Sequence, residues 1–151
     1  MAISEFHASH MRRVRVSFCV SAPDLEPSEV TLAVGLEPSA SARRGDERRN
    51  RAGTILAPQA EGFWAYSSDP LTSSKDINDH FAAVLTPLLP HADKLLRFAT
   101  GGGTFFDVLW ESTYLYAGTG PLIDAEYLRG VARLQAGMGF DIYQIEPENG
   151  G

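Results

Sequence analysis

Five arginines lie within nine residues of one polar stretch, at Arg43, Arg44, Arg48, Arg49 and Arg51. Arginine carries a planar, permanently charged guanidinium fork that suits carboxylate and phosphate groups. Residues 43–51 also contain two carboxylates, so this stretch carries +3 and the rest of the chain −9, within a total of −6. A basic segment on an acidic chain folds back onto it or meets an anionic partner. We therefore predict that these arginines contact an acidic protein partner or an anionic ligand; a solvated loop without a partner is the alternative.

The charge balance argues against nucleic acid as that partner. The chain carries −6 overall, whereas neutralisation of phosphates dominates nucleic-acid affinity. The arginine stretch also lacks interleaved aromatic residues on which bases could stack. No apolar run approaches the roughly 20 residues of a membrane-spanning helix, so no membrane partner is expected.

Two groups of acidic residues were considered for metal binding or catalysis. Asp76, Asp79 and His80 share one face of a predicted helix and could bind a metal, although a solvated first turn explains them equally well. Asp107 and Glu111 lie on one side of a predicted strand, roughly 13 Å apart unless a turn separates them, beyond the ~5–9.5 Å of paired glycosidase carboxylates. We predict no metal, no cofactor and no catalytic residue, and the sequence favours a protein that is not an enzyme.

Aromatic residues support an alternative function. A pocket beneath the arginine stretch could be lined by Trp64, Tyr66, Trp110, Tyr114 and Tyr116. Such a pocket would make the chain a small-ligand-binding protein or an enzyme, because small-molecule sites are concave and rich in aromatic side chains. Packing of Trp64 and Tyr66 against a sheet explains the same residues without a ligand.

The length of 151 residues predicts one domain, which we assign to residues 12–146. Residues 1–11 end in a Ser-His-Met sequence typical of a cloning remnant and are interpreted as a tag or disordered leader. Residues 147–151 are interpreted as a flexible tail. Because no secretory signal is visible and Cys19 is the single cysteine, the reducing cytoplasm is the expected compartment.

Apolar periodicity predicts strands over residues 13–21, 62–67 and 140–145, and either one bent strand or two strands over 104–117. Pro27 begins a short helix that Gly35 ends. A longer helix has one apolar stripe: Ile77, Phe81, Val84, Leu85 and Leu88. Pro87 kinks or ends it, and a separate helix covers 92–98. The last helix covers 125–136 and is ended by Gly137, with an inner stripe of Leu128, Val131, Ala132 and Gln135. These elements predict an α+β fold, a two-layer sandwich in which a mostly antiparallel or mixed sheet of about five strands is covered by three to four helices.

Several short motifs follow one another along the chain in a particular order: Phe18, residues 24–30, residues 35–39 with Gly45 and Asp46, Trp64, residues 85–89 and residues 141–143. This order resembles a bacterial family of domains of unknown function, the one numbered 4279, over residues 13–145. The resemblance implies an α+β fold and no assigned catalytic residues. The chain departs from the family pattern in the loop, where its arginines are denser.

With no catalytic signature, the sequence predicts a small binding module, of an immunity or accessory type, that contacts its partner through the arginines. The small-ligand protein with an aromatic pocket is the second hypothesis. A dimer joined through a sheet edge is the third.

Overall fold

The computed structural model describes residues 11–113 and 120–145. In these two ranges the chain forms seven strands and four α-helices. The strands are β1 (Met11–Ala22), β2 (Ala40–Ala42), β3 (Arg48–Arg49), β4 (Ile55–Leu56), β5 (Gly62–Ser67), β6 (Thr104–Ser112) and β7 (Gly137–Gln144). The helices are α1 (Pro27–Val34), α2 (Ile77–Leu88), α3 (Ala92–Leu95) and α4 (Ala125–Arg133).

Five of the strands form one mixed sheet in the order β2-β5-β1-β6-β7, and β3 and β4 form a separate two-stranded sheet. The central strand β1 pairs antiparallel with both β5 and β6, and β2 pairs antiparallel with β5. β7 runs parallel to β6, since the chain crosses over through α4 before it returns to the sheet. The α+β fold with a mixed five-stranded sheet is therefore confirmed.

The helices bury one face of this sheet. The alternating residues Val14, Val16, Phe18 and Val20 of β1 are buried, and α2 packs against that strand. The Phe106 ring of β6 has its centroid 5.4 Å from that of Phe18 and 5.8 Å from that of Phe81 in α2. A helix stripe with a 3.6-residue period and strands with a two-residue period thus meet in one core.

Two glycines near α1 allow a left-handed helix end and a close approach of two backbone segments. Gly35 ends the helix with φ +67°, the left-handed conformation that glycine adopts without strain. At Gly62, an added Cβ would lie 2.2 Å from the carbonyl oxygen of Leu25. The start of β5 can therefore pass directly against the residues that lead into α1 only because it lacks a side chain there.

The last helix differs from its prediction. α4 ends at Arg133 rather than at residue 136, because Gln135 takes up the left-handed turn with φ +51° and Gly137 already begins β7. The predicted inner stripe is right only at Val131: Ala132 and Gln135 are exposed, Leu128 is 46% exposed, and Leu134 is fully buried instead. The predicted final strand likewise begins three residues too late.

The strand predicted over residues 104–117 is continuous from Thr104 to Ser112, with no turn inside it. Residues 114–119 lie outside the described residues, and so do the leader residues 1–10 and the tail residues 146–151. Met11, which we grouped with the leader, is the first residue of β1 and is 8% exposed.

Candidate functional site

The arginine stretch folds into an ordered hairpin, here called the arginine hairpin and defined as residues 43–59. Its two strands pair antiparallel, with Arg48 opposite Leu56 and Arg49 opposite Ile55. At the base, Gln59 pairs with Gly45 and Asp46 through two backbone hydrogen bonds of 2.8 and 2.9 Å. The segment is therefore structured over its full length, although it has almost no buried residues of its own.

Polar contacts close the tip of the arginine hairpin. The side-chain oxygen of Asn50 accepts a hydrogen bond of 3.0 Å from the backbone N–H of Thr54. Gly53 adopts φ +83°, and its backbone N–H donates to the carbonyl of Asn50. Arg49 donates a hydrogen bond of 2.9 Å to the Gly53 carbonyl and pairs with Glu47. Arg49 thus stabilises the hairpin that carries it.

Two other arginines hold the base of the hairpin against the residues that lead into α1. The Nε atom of Arg43 lies 2.9 Å from a carboxylate oxygen of Glu26, and Arg44 lies 2.9 Å from Asp24. The hydrogen bond from Arg43 lowers the pKa of Glu26 below its ordinary value of 4.5. An isolated two-stranded hairpin is marginally stable in water, so these contacts with the acidic body are what position it.

Two arginines of the hairpin are exposed, and so are its two aliphatic side chains. Arg48 and Arg51 are exposed, and neither belongs to an ion pair among the described residues. Ile55 is 59% exposed and Leu56 38% exposed. Residues directly opposite in an antiparallel pair share a face, so one face of the hairpin carries Arg48 with Leu56 and the other carries Arg49 with Ile55.

The five predicted arginines therefore divide by role. Arg43 and Arg44 fold back onto the body, Arg49 closes the hairpin, and Arg48 and Arg51 face solvent. The residues Asp24 and Glu26 were not predicted as contacts, although an acidic pair ahead of a helix in a chain with one basic stretch is a usable signal. The exposure of Ile55 and Leu56 was missed, because two apolar residues in a polar loop are typical of a buried contact.

Removing the ion pairs that Arg43 and Arg44 form with Glu26 and Asp24 is expected to release the hairpin without unfolding the domain. In the double variant Arg43→Ala/Arg44→Ala, trypsin should cleave after Arg48, Arg49 and Arg51 several-fold faster, because the local opening equilibrium governs proteolysis. The midpoint of urea unfolding should change little, since exposed ion pairs contribute little to global stability. The matched control is Arg129→Ala/Arg133→Ala, which removes two exposed arginines from α4.

The same contacts give the hairpin a pH dependence of known sign. Because the folded pKa of Glu26 is lowered, its stabilising contact is present above the ordinary value of 4.5 and is lost as the pH falls through the lowered pKa. Amide exchange of residues 45–59, corrected for the intrinsic rate, should therefore increase on acidification in the wild type and much less in the double variant. Equal pH dependence in the two proteins would contradict this assignment.

A surface cleft of about 400 Å³ lies between α1 and the base of the hairpin. Its polar lining is Glu26, Ser28, Thr31, Glu37, Ser41, Arg43 and Asp46. Among these residues the only cation is Arg43, which already pairs with Glu26. The cleft therefore does not suit an anionic ligand, and the exposed arginines at the hairpin tip are the better match for negative charge.

Of the predicted aromatic set, the structure describes Trp64, Tyr66 and Trp110, and the two tryptophans lie far apart. Trp64 lies opposite Val20 and Trp110 opposite Val14, six residues and about 20 Å apart along β1. Both indoles are buried, and Trp64 stacks on Tyr66 with 6.1 Å between ring centroids. Trp64 and Tyr66 pack within the molecule, and Tyr114 and Tyr116 lie outside the described residues.

The residues considered for a metal have other partners. Asp76 is the N-cap of α2 and accepts a hydrogen bond of 2.9 Å from the backbone N–H of Asn78, while Asp79 accepts one from Ser74. His80 is 2% exposed, and both of its ring nitrogens are hydrogen-bonded, to the Ser68 hydroxyl and the Ser74 carbonyl, at 2.6 Å each. Within residues 11–113 and 120–145, no group of three or more His, Cys, Asp or Glu could hold a metal ion.

The face of the sheet opposite the helices carries Cys19, Asp107 and Glu111. Since β6 has no turn between them, Asp107 and Glu111 stay at the strand spacing that separates them by roughly 13 Å. Burial, and then the nearby Asp141, raise the pKa of Asp107. Burial raises the pKa of the Cys19 thiol to about 11, so this cysteine lacks the thiolate character of a nucleophile.

None of the helices that the structure describes combines the length and the apolarity needed to span a bilayer. No match was found among curated proteins or among solved structures. A family model described as a domain of unknown function, DUF4279, matches residues 12–145. That match covers nearly the whole chain and includes the sheet, the four helices and the arginine hairpin. The chain therefore belongs to the DUF4279 family.

Proposed function

We propose that this protein is a non-enzymatic binding module that recognises an acidic segment of a partner protein through the tip of the arginine hairpin. The observation that carries the proposal is an exposed arginine, outside the ion pairs of the described residues, beside an exposed apolar side chain on one ordered hairpin. Arg48 lies beside Leu56 and Arg49 beside Ile55, and both aliphatic side chains are exposed. A partner that presents carboxylates next to an apolar side chain would match the face that carries Arg48 and Leu56.

The residue types support a protein partner. Arginine is enriched in protein interfaces, whereas lysine is depleted. The arginine hairpin contains five arginines and no lysine. Arginine forks also bind carboxylates with two parallel hydrogen bonds, which gives geometric specificity that a lysine cannot supply.

The attachment of the hairpin supports recognition by a preformed surface. Arg43, Arg44 and Arg49 form the internal contacts, so Arg48 and Arg51 can meet a partner without breaking an ion pair of the hairpin. Preorganisation of a binding loop reduces the entropy that is lost on association. The small footprint of one hairpin tip is typical of a weak or transient interface. The half-buried, free thiol of Cys19 is compatible with a cytoplasmic setting, which we propose as the compartment.

Charge reversal at the tip tests this function. The chain is immobilised and exposed to extract from its native host in three forms: wild type, Arg48→Glu/Arg51→Glu, and the control Arg129→Glu/Arg133→Glu, which makes the same change in charge on α4. We expect a partner with an acidic binding segment to be retained by the wild type and the control. Its dissociation constant should increase by about 100-fold or more in the hairpin variant, because two arginine hot spots contribute about 1.4 kcal/mol or more each.

The proposal fails if the hairpin variant keeps the same partner at unchanged affinity. It also fails if every protein retained by the wild type is lost equally from the α4 control, because that result would reflect net charge alone. Thermal unfolding of the three proteins should be indistinguishable, since all four replaced side chains are exposed.

A further inference from the structure

The edge strand β7 lacks most of the features that usually protect the free edge of a sheet. Within residues 11–113 and 120–145 it is paired on one side only, with β6. It is eight residues long, contains neither lysine nor proline, and carries one charge, at Asp141. Proteins protect free edges by short strands, charges, proline or bulges. The opposite edge follows that rule, since β2 has three residues.

The strand also exposes apolar side chains on both faces of the sheet. Phe140 and Ile142 are 43% and 57% exposed. They are in register with Val108 and Trp110, so they lie on the helix side. Tyr143 is 53% exposed and is in register with Glu111, on the other side. A strand added at this edge would cover all three residues and pair with the free backbone groups.

We propose that β7 pairs antiparallel with β7 of a second copy of this chain, so that two five-stranded sheets become one sheet of ten strands. A two-fold axis requires the strand to be complementary to itself. In a register that places Phe140 on the axis, Phe140 meets the partner's Phe140, and Met138 meets the partner's Ile142. Gly139 then leaves space for the partner's Asp141. Seven residues, 137–143, take part.

The single charge of the strand, Asp141, excludes one neighbouring register, and the contact between the two Phe140 rings disfavours another. Only registers centred on a residue keep the helix sides of both sheets together, because side chains alternate along a strand. Centring on Asp141 would place two carboxylates directly opposite each other, which is unfavourable. Centring on Ile142 would place Asp141 opposite the partner's Tyr143 and would remove the contact between Phe140 and its counterpart.

The net charge of the chain predicts how the dimer responds to salt. Each copy carries −6, so long-range repulsion opposes association and the apolar pairing must exceed it. Salt screens exposed charges over about 10 Å at 0.1 M. Dimerisation through β7 is therefore expected to strengthen as the salt concentration rises, whereas binding of an acidic partner to the arginine hairpin should weaken.

The experiment measures mass in solution and maps the register. At about 100 µM and 0.3 M salt, sedimentation should give twice the chain mass of 16.4 kDa, at a concentration suited to a micromolar dissociation constant. Phe140→Glu, which sets two carboxylates on the axis, should give the monomer mass with an unchanged circular dichroism spectrum. Arg48→Glu/Arg51→Glu should remain dimeric, because the hairpin lies toward the opposite edge of the sheet.

Disulfide trapping then tests the axis. In a Cys19→Ser background, Phe140→Cys should form an intermolecular disulfide on mild oxidation, because residues directly opposite have Cα atoms about 4.5–5.5 Å apart, within the range for disulfides. Asp141→Cys, which faces Gly139, should not cross-link. A monomer for the wild type at 100 µM, a dimer that survives Phe140→Glu, or cross-linking at 141 in preference to 140 would each overturn the proposal.

Discussion

Replacing Trp64 with alanine is expected to lower the free energy of unfolding by about 3–5 kcal/mol, the cost of deleting a large buried aromatic side chain. Trp64 is fully buried, and its ring lies 6.4 Å from that of Phe18, edge to face. Its indole N–H donates a hydrogen bond of 3.0 Å to the Thr31 hydroxyl of α1. Urea unfolding followed by circular dichroism measures the loss.

Trp64→Phe is the matched control. Phenylalanine keeps an aromatic ring in the core but removes the N–H donor and part of the volume, so a loss of about 1–2 kcal/mol is expected. Because Thr31 lies on the helix that Glu26 leads into, Trp64→Ala should also increase tryptic cleavage of the arginine hairpin at sub-denaturing urea. A loss below about 1 kcal/mol for Trp64→Ala would contradict the packing described above.

Replacing His80 with alanine is expected to lower the free energy of unfolding by about 2–5 kcal/mol. The loss comes from the cavity that the ring leaves and from its buried hydrogen-bond partners, which are left unsatisfied. The Ser74 carbonyl can only accept, so the Nε2 atom of His80 carries the proton that it receives. The Nδ1 atom accepts from the Ser68 hydroxyl, whose oxygen accepts a hydrogen bond of 2.9 Å from the backbone N–H of Val16. The imidazole therefore connects α2, the loop before it and the central strand.

A double-mutant cycle separates this network from simple packing. Ser68→Ala and His80→Ala are measured alone and together by urea unfolding, and a coupling energy of about 1 kcal/mol or more is expected for groups that share a buried hydrogen bond. His91→Ala, at a half-buried histidine after α2, is the control and should cost less than about 1 kcal/mol. Additive effects of the Ser68 and His80 replacements would rule out the network.

Local sequence patterns correctly predicted the strands and helices that bury one face in the core. The alternation from Val14 to Val20 identified β1 because a half-buried strand repeats every two residues. The stripe from Ile77 to Leu88 identified α2 for the analogous reason, and Pro87 lies within the last turn of that helix. Gly35 ended α1 as predicted, since only its backbone conformation was needed.

Features that depend on distant parts of the chain were not available from local patterns. The end of α4 was misplaced because Gln135 adopts a left-handed turn that glycine usually takes. Trp64 and Trp110 looked like one pocket because the sequence does not state which strands neighbour each other or in which register. The partners of His80 could not be predicted from the sequence, because Ser68 and Ser74 are placed by the loop rather than by the helix.

The candidate site shows the same division. The basic character of the arginine stretch was visible in composition, whereas the roles of its members required the fold. Asp24 and Glu26 neutralise the arginines nearest the body, so the predicted surface shrinks from five arginines to a tip with Arg48 and Arg51 beside Ile55 and Leu56. An arginine that already pairs with a carboxylate attracts an acidic partner less than an arginine without an ion pair.

Amide hydrogen exchange of the protein, with and without the partner that the wild type captures, tests the hairpin as the binding surface most directly. Exchange of residues 47–57 should slow on binding, because a covered hairpin loses access to solvent, while the amides of α4 and β7 keep their rates. Unchanged exchange across the arginine hairpin, with protection at another surface of the domain, would contradict the proposed function.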